Sequence, residues 1–456
     1  METKKLFGTD GVRGRANIFP MTAEIALRLA QALAKVFKQK KMVLNGKRCK
    51  VIIGKDTRIS SYVFEAALTS GFCSMGVDVY LVGPLPTPAI AHLTKSFGAE
   101  AGIMITASHN PFEDNGIKFF FSDGYKISDE IELEIENLVL NNKLSTEQVA
   151  VQDMGKAYRV MHAIGRYIEF VKNTIHISEL TKLKVILDCA NGASYGVAPI
   201  IFNELGLEVI TYGDKPDGLN INKNCGAVHP EFLQKKVIEH NADVGIAFDG
   251  DADRVIIVDE KGNIIDGDHI LAICAETMIR EGTLKENTVV ATVYSNLALD
   301  QYINSIGGKV VRTKNGDRYV LEEMRGNNYN LGGEFSGHII FGDYNTSGDG
   351  IVSALKLLEV VSKTGKKLSE LGSCFEKYPQ IIVNVPVKEK KPIERLSSVE
   401  NIIKKYEEQL GSRGRILVRY SGTEMLCRVM VEGEEKQKIS NIANKIAQKI
   451  KEEVGV

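Results

Sequence analysis

No stretch of this chain approaches the roughly 20 consecutive apolar residues of a membrane-spanning helix. The opening Met1-Glu2-Thr3-Lys4-Lys5-Leu6-Phe7-Gly8 has no apolar core of the length a signal peptide needs, so a cytoplasmic protein is expected. Cysteine is sparse: seven are scattered at 49, 73, 189, 225, 274, 374 and 427, and no two are spaced as Cys-x-x-Cys. An odd, unpatterned set argues against a disulfide framework or a cysteine zinc site and suits a reducing compartment. An excess of either charge is also missing, the net charge being −1 at pH 7. A nucleic-acid or membrane-surface protein would carry a basic excess, so neither partner is expected. What remains is a chain of 456 residues, 44% hydrophobic and 25% charged. That is material for about three or four ordinary globular domains.

One pattern recurs three times: a buried strand, a polar loop, a helix, a glycine and a second strand. The first copy runs from Val51-Ile52-Ile53-Gly54 through a helix near 62–75 and Gly76 to Val77–Val82. The second runs from Leu183–Asp188 through a helix near 196–205 and Gly206 to Leu207–Ile210. The third runs from Thr288–Val293 through a helix near 297–306 and Gly307-Gly308 to Lys309–Val311. Strands rich in β-branched residues, joined by a helix that glycine ends, read as βαβ units. The expected fold class is therefore α/β: three similar domains with mixed, mostly parallel sheets. The tail differs. Strands at 378–385, 415–419 and 427–431, with helices at 393–410 and 434–452, indicate a small C-terminal α+β domain. The expected domains are 1–155, 156–256, 257–372 and 373–456.

Four loops carry chemistry. Thr106-Ala107-Ser108-His109-Asn110-Pro111 follows the apolar run Ala101–Ile105, which presents a hydroxyl on a rigid strand end. His109 could handle the Ser108 proton, and Lys118 could neutralise a phosphate carried there. In Asp249-Gly250-Asp251-Ala252-Asp253-Arg254, three alternating carboxylates repel one another unless a cation joins them, and hard oxygens suggest magnesium. A calcium EF-hand is the rival, but Arg254 stands where that loop needs glycine, and strands flank it. Gly332-Gly333-Glu334-Phe335-Ser336-Gly337-His338 offers Glu334 and Ser336 to vicinal hydroxyls. Arg419-Tyr420-Ser421-Gly422-Thr423-Glu424, with Arg428, combines a glycine-permitted nest, two hydroxyls and two guanidinium groups suited to phosphate. Together they supply what phosphoryl transfer needs, since its catalysis is mostly positioning and charge neutralisation.

With these loops in this order, the whole chain resembles the α-D-phosphohexomutase superfamily, and most of all its glucosamine-phosphate branch. Lys5–Gly14 is similar to that branch's opening, Ala107–Pro111 to its phosphoserine loop and Asp249–Arg254 to its magnesium loop. Glu334–His338 is similar to its sugar loop and Arg419–Glu424 to its phosphate loop. The resemblance implies four domains around one deep cleft and interconversion of glucosamine 6-phosphate and glucosamine 1-phosphate, on the route to UDP-N-acetylglucosamine. It implies phosphoserine at Ser108, magnesium on Asp249, Asp251, Asp253 and a Ser108 phosphate oxygen, and a sugar bisphosphate as primer. Sugar hydroxyls would meet Glu334, Ser336 and His338; the non-reacting phosphate would meet Arg419, Ser421, Gly422, Thr423 and Arg428. His109, Lys118 and Arg13 all stand as candidates for acid–base or electrostatic help. The expected partner is a small sugar phosphate, with room left for a homodimer. Phe335 stands where the branch usually has glutamine, and Met425 where it usually has proline; Phe335 is expected to face away from the sugar and pack on the loop's own support. The rivals are a phosphomannomutase or phosphoglucomutase with the same mechanism, a non-catalytic sugar-phosphate sensor and a metal phosphatase.

Overall fold

The strands form where aliphatic residues run unbroken, because helices cover both faces of a parallel sheet. Val51–Ile53, Val185–Leu187 and Val289–Ala291 are accordingly all fully buried. The computed structural model describes residues 5–8, 10–40, 48–141, 144, 149–175, 183–421 and 425–456. Two compact units emerge: Met1–Tyr294 with Gly307–Cys374, and Ser295–Ile306 with Phe375–Val456.

The first unit holds three sheets. The first contains β1 (Val12–Arg15), β2 (Lys50–Lys55), β3 (Asp78–Pro84), β4 (Ala101–Ile105), β5 (Asp114–Phe121) and β6 (Ala157–Arg159), in the order β1-β5-β4-β2-β3-β6. The second contains β7 (Lys184–Asp188), β8 (Glu208–Tyr212), β9 (Val244–Phe248), β10 (Val255–Asp259) and β11 (Ile264–Ile265), in the order β11-β10-β9-β7-β8. The third contains β12 (Thr288–Thr292), β13 (Lys309–Thr313), β14 (Leu331–Gly333) and β15 (Ile339–Phe341), in the order β13-β12-β14-β15. The expected strand pairs β2/β3, β7/β8 and β12/β13 are all parallel.

Each sheet also has a feature the βαβ pattern did not announce. Its core carries one further parallel strand, β4, β9 or β14. The chain then turns back as an antiparallel neighbour, β5, β10 or β15. The three motif loops are those three reversals, so each lies at the carboxyl end of a parallel strand, where α/β sheets place their ligands. The same reversal carries the second sheet through β10 and β11 to Ile265, past the boundary expected at 256, because Val255–Asp259 returns along β9.

The Ala23–Gln39 helix begins where the Thr22 hydroxyl accepts from the Ile25 N–H at 3.3 Å. Its buried Leu29, Leu33, Val36 and Phe37 share one core with Phe64, Leu68 and Phe72 of the Ser61–Ser74 helix.

In the second unit, β16 (Gln380–Pro386), β17 (Gly414–Tyr420) and β18 (Leu426–Gly433) form an antiparallel sheet in the order β16-β18-β17. The helices Ser397–Leu410 and Lys436–Val454 accompany it, giving the expected α+β unit. The Leu297–Ser305 helix, which follows β12 in sequence, belongs to this unit. Fully buried Glu432 draws it in, accepting from the Leu297 N–H at 3.3 Å and pairing with Arg415 at 2.6 Å. Among the described residues, no helix is long and apolar enough to cross a membrane.

Candidate active site

Ser108 sits immediately past β4 and is nearly buried, at 3% exposure. Its φ of +52° is left-handed, a conformation that costs a non-glycine residue of order 1–3 kcal/mol and persists only where surroundings enforce it. Here they do. Its N–H donates to Thr106 Oγ1 at 2.9 Å, and its carbonyl accepts from Arg58 Nη2 and Asn222 Nδ2, each at 2.9 Å. The hydroxyl then donates to Asp249 Oδ2 at 2.6 Å and lies 3.3 Å from His109 Nδ1.

The loop between β9 and β10 meets it. Gly250 is required there: a Cβ would lie 2.5 Å from the Ser108 carbonyl oxygen. Asp249, Asp251 and Asp253 are buried, with ligand oxygens within 4.8 Å of one another, close enough to hold a metal ion. Their electrostatics ask for one. Burial and the charges of Asp251 and Asp253 push the Asp249 carboxyl well above its usual range. Burial works the same way on Asp253, but Lys118 and His338 outweigh it and hold that carboxyl well below. Asp251 accepts from Thr87 Oγ1 at 2.6 Å and Lys118 Nζ at 3.0 Å through Oδ2, while its buried Oδ1 has no hydrogen-bond partner. An orphaned carboxylate oxygen within a like-charged cluster fits a hard divalent cation.

The three candidates for proton handling separate. Lys118 is 2% exposed and committed to carboxylates: Asp10 at 3.0 Å, Asp251 at 3.0 Å and Asp253 at 3.3 Å. Burial opposes its charge, but those partners prevail and keep the ammonium protonated well above the ordinary lysine range. It compensates carboxylate charge within this cluster. Arg13 reaches Asp10 at 3.5 Å. His109 is pushed down to about 4, by burial first and then by Arg254 and Arg13. Its imidazole is therefore neutral at pH 7, and of the three it is the one beside the serine hydroxyl.

The Glu334–His338 loop between β14 and β15 packs where β10 leaves the aspartate loop. A Cβ at Gly337, whose φ is +89°, would fall 2.0 Å from the Val255 carbonyl oxygen. Glu334 Oε1 accepts from the Gly316 N–H at 3.1 Å and Oε2 from the Ser336 hydroxyl at 3.3 Å. His338, expected among the sugar readers, is held by protein partners. It is 3% exposed, its Nε2 accepts from the Gly348 N–H at 3.1 Å, and its Nδ1 is 3.5 Å from Asp253 Oδ1. That placement supports an aspartate of the metal loop. Phe335 is 43% exposed and its ring meets that of Tyr294 at 6.5 Å, so it is not buried beneath its own loop.

In the second unit, Arg419 on β17 and Arg428 on β18 are direct cross-strand partners. Like charges in that register destabilise a sheet unless an anion joins them. Ser421 donates its N–H to the Leu426 carbonyl at 2.8 Å, and its own carbonyl accepts from Lys390 Nζ at 2.7 Å. Gly422 and Thr423, like Thr9 of the opening motif, lie outside the described residues.

Several site residues escaped the sequence reading: Arg58, Asn222, Thr87, Asp10, Lys126 and Asp317. Lys126 joins Asp10 and Asp317, each at 2.5 Å, which ties Asp10 into the Lys118 cluster. One signal was available. Asp56-Thr57-Arg58 follows β2 just as Ser108 follows β4, and charged residues at the end of a buried strand are rarely idle.

Comparison with known proteins covers nearly the whole chain. Residues 4–146, 165–262 and 266–378 match the phosphoglucomutase/phosphomannomutase alpha/beta/alpha domains I, II and III, and 382–449 match the C-terminal domain. The phosphoglucosamine mutase of Citrifermentans bemidjiense is 54% identical over 453 residues, 99% of each chain. A phosphoglucomutase/phosphomannomutase family protein from Burkholderia thailandensis shares the fold at TM-score 0.82 and 23% identity over 100% of both chains. So does Aspergillus fumigatus N-acetylphosphoglucosamine mutase, solved with GlcNAc-6P and magnesium, at TM-score 0.65 and 19% identity over 99% of this chain and 96% of that one. With four domains matched in order and more than half of its residues shared across its length, this chain belongs to the phosphoglucosamine mutase family of phosphohexomutases.

Proposed function

We propose that this mutase interconverts glucosamine 6-phosphate and glucosamine 1-phosphate in the cytoplasm, on the route to UDP-N-acetylglucosamine, with Ser108 as phosphoryl carrier. The observation that carries the reading is the Ser108 hydroxyl, held 2.6 Å from Asp249 in a cluster of three carboxylates close enough to hold a metal ion. Phosphorylated Ser108 gives its phosphoryl group to a sugar hydroxyl: the Oγ–P bond breaks, the sugar O–P bond forms, and the product is a bisphosphate. The bisphosphate reorients, and its other phosphate returns to Ser108. Neutral His109 relays one proton in each direction: the sugar hydroxyl's proton passes through it to the departing Oγ, and in the return step the Oγ proton passes through it to the departing sugar oxygen. A bisphosphorylated sugar is also the primer that first charges Ser108.

Asp249, Asp251, Asp253 and a Ser108 phosphate oxygen would hold magnesium, which supplies charge neutralisation at the transferring group. Glu334 and Ser336 grip vicinal hydroxyls in both orientations, and His338 steadies Asp253. Arg419, Ser421, Gly422, Thr423 and Arg428 hold the phosphate that is not reacting. The work is divided over four domains near 1–155, 156–256, 257–372 and 373–456, with strand pairing extending the second to Ile265.

The test is a coupled assay of the purified protein with magnesium and a hexose bisphosphate primer on glucosamine, glucose and mannose 6-phosphates. Highest kcat/KM on the amino sugar supports the reading. Preference for glucose or mannose 6-phosphate replaces it with the phosphoglucomutase or phosphomannomutase reading, and net phosphate release without isomerisation replaces it with a phosphatase.

A further inference from the structure

Arg58 lies in the loop after β2 and is fully buried, at 0% exposure. Its Nε donates to Asp56 Oδ2 at 2.8 Å, so its charge is neutralised on the spot. Three of its four remaining donors go to carbonyls of the serine loop: Nη2 to Ser108 at 2.9 Å and to Asn110 at 2.8 Å, and Nη1 to Pro111. A planar fork with fixed donor directions can serve three backbone oxygens at once; a lysine ammonium at the same place cannot. From the second sheet's side, Asn222, in the loop between β8 and the Pro230–His240 helix, grips two of the same oxygens. Its Nδ2 donates to Ser108 at 2.9 Å and to Asn110 at 3.1 Å. Asn222 is itself in the left-handed region at φ +58° and 5% exposed.

These contacts explain the serine's conformation. A residue at φ +52° stays there only if something holds its backbone, and the Ser108 carbonyl is turned inward onto two donors from two different loops. That turn leaves the hydroxyl facing Asp249. We propose that Arg58 and Asn222 are positioning residues that hold Ser108 in its strained conformer, and that this hold sets the rate at which the serine takes and gives the phosphoryl group. Both side chains are buried and bonded to the serine loop, so the effect falls on turnover and leaves sugar-phosphate binding alone. The inference rests on the reading of Ser108 as phosphoryl carrier.

Asn222→Gly tests it, because glycine keeps the φ +58° backbone while deleting the amide. Arg58→Lys is the companion, keeping the charge beside Asp56 but not the three-carbonyl fork. The parent and both variants are compared by steady-state turnover, by thermal midpoint and by the rate at which a hexose 1,6-bisphosphate phosphorylates Ser108, followed by intact-protein mass. The expected result for Asn222→Gly is a fall of at least tenfold in kcat and in phosphorylation rate, with KM within twofold of the parent. Arg58→Lys is expected to show the same split. Parental kcat and phosphorylation rate in either folded variant overturn the proposal, as does a loss confined to KM. A parent protein that never acquires phosphate on Ser108 overturns the underlying reading instead, which keeps the two failures apart.

Discussion

Replacing Gly250 by alanine should disable the enzyme with little loss of fold. The added Cβ would stand 2.5 Å from the Ser108 carbonyl oxygen and 2.8 Å from both Asn222 Nδ2 and Ile221 Cδ1. An ordinary contact begins near 3.4 Å, so the aspartate and serine loops must separate by about 0.9 Å, and a backbone oxygen cannot rotate aside as a side-chain tip would. Overpacking of this kind costs about 1–3 kcal/mol of stability, tolerable for a chain of this size. The functional cost is larger in proportion. The shift acts directly on the 2.6 Å approach of the Ser108 hydroxyl to Asp249, and a misplacement of about 1 Å in a reacting group costs on the order of a hundredfold in rate. The expected result is kcat lowered about a hundredfold, or about 2.7 kcal/mol, with native circular dichroism and a modestly lower thermal midpoint. Gly165→Ala is the control: it lies in the Ala163–Lys172 helix with nothing within 4 Å of a new Cβ. That change should leave activity intact and stabilise by about 0.5–1 kcal/mol. Parental kcat in Gly250→Ala would refute the argument that contact between these two loops sets the reacting geometry.

Three further outcomes are expected. Asp251→Asn removes one anionic ligand from the crowded set, so magnesium titrations of activity should need more metal and reach a lower plateau, while exhaustive chelation should silence the parent. Arg419→Ala should raise the apparent KM for both sugar phosphates, since loss of a charge-assisted contact costs roughly 1.5–3 kcal/mol; unchanged kinetics would move the phosphate contact to Arg428. His92, stacked on Phe170 at 3.8 Å, is pushed from 6.5 to about 4 by burial and then by Lys95 and Arg166. The unfolded chain therefore binds the proton more readily, and stability present above pH 6.5 is lost as pH falls towards 4, by up to about 3 kcal/mol. His92→Phe should flatten that acid loss in thermal-melt series from pH 7 to 4.5, and an unaltered pH profile would contradict it.

The βαβ units were legible because burial on both faces leaves a plain trace: runs such as Val185-Ile186-Leu187 closed by a helix and glycine. The reversals after β4, β9 and β14 were not, since Ile117, Val255 and Ile339 look alike whether their strand runs parallel or antiparallel. Ser108 and the three aspartates could be read because their chemistry lies within a few consecutive residues. Asn222 could not, and Arg58 offered only its place after β2, because their partners are carbonyls 50 or more residues away in sequence. Lys118 was found as a candidate for acid–base or electrostatic help, but the carboxylates that surround it, Asp10, Asp251 and Asp253, lie in distant loops and only the fold brings them together. His338 could be placed in its motif, but its contacts with the Gly348 N–H and Asp253 could not be read from the sequence.

The central claim is that Ser108 gives its phosphoryl group to one position of the amino sugar and takes back the group at the other position. The most direct measurement charges the protein with an isotopically labelled hexose bisphosphate, locates the label by peptide mass, and chases it with unlabelled glucosamine 6-phosphate in a single turnover. The account predicts label on Ser108 alone, its transfer to the sugar within one turnover, and no label in Ser108→Ala, which should fold normally and turn over nothing. Label on another residue, or a Ser108→Ala protein that still isomerises the sugar phosphate, would contradict it.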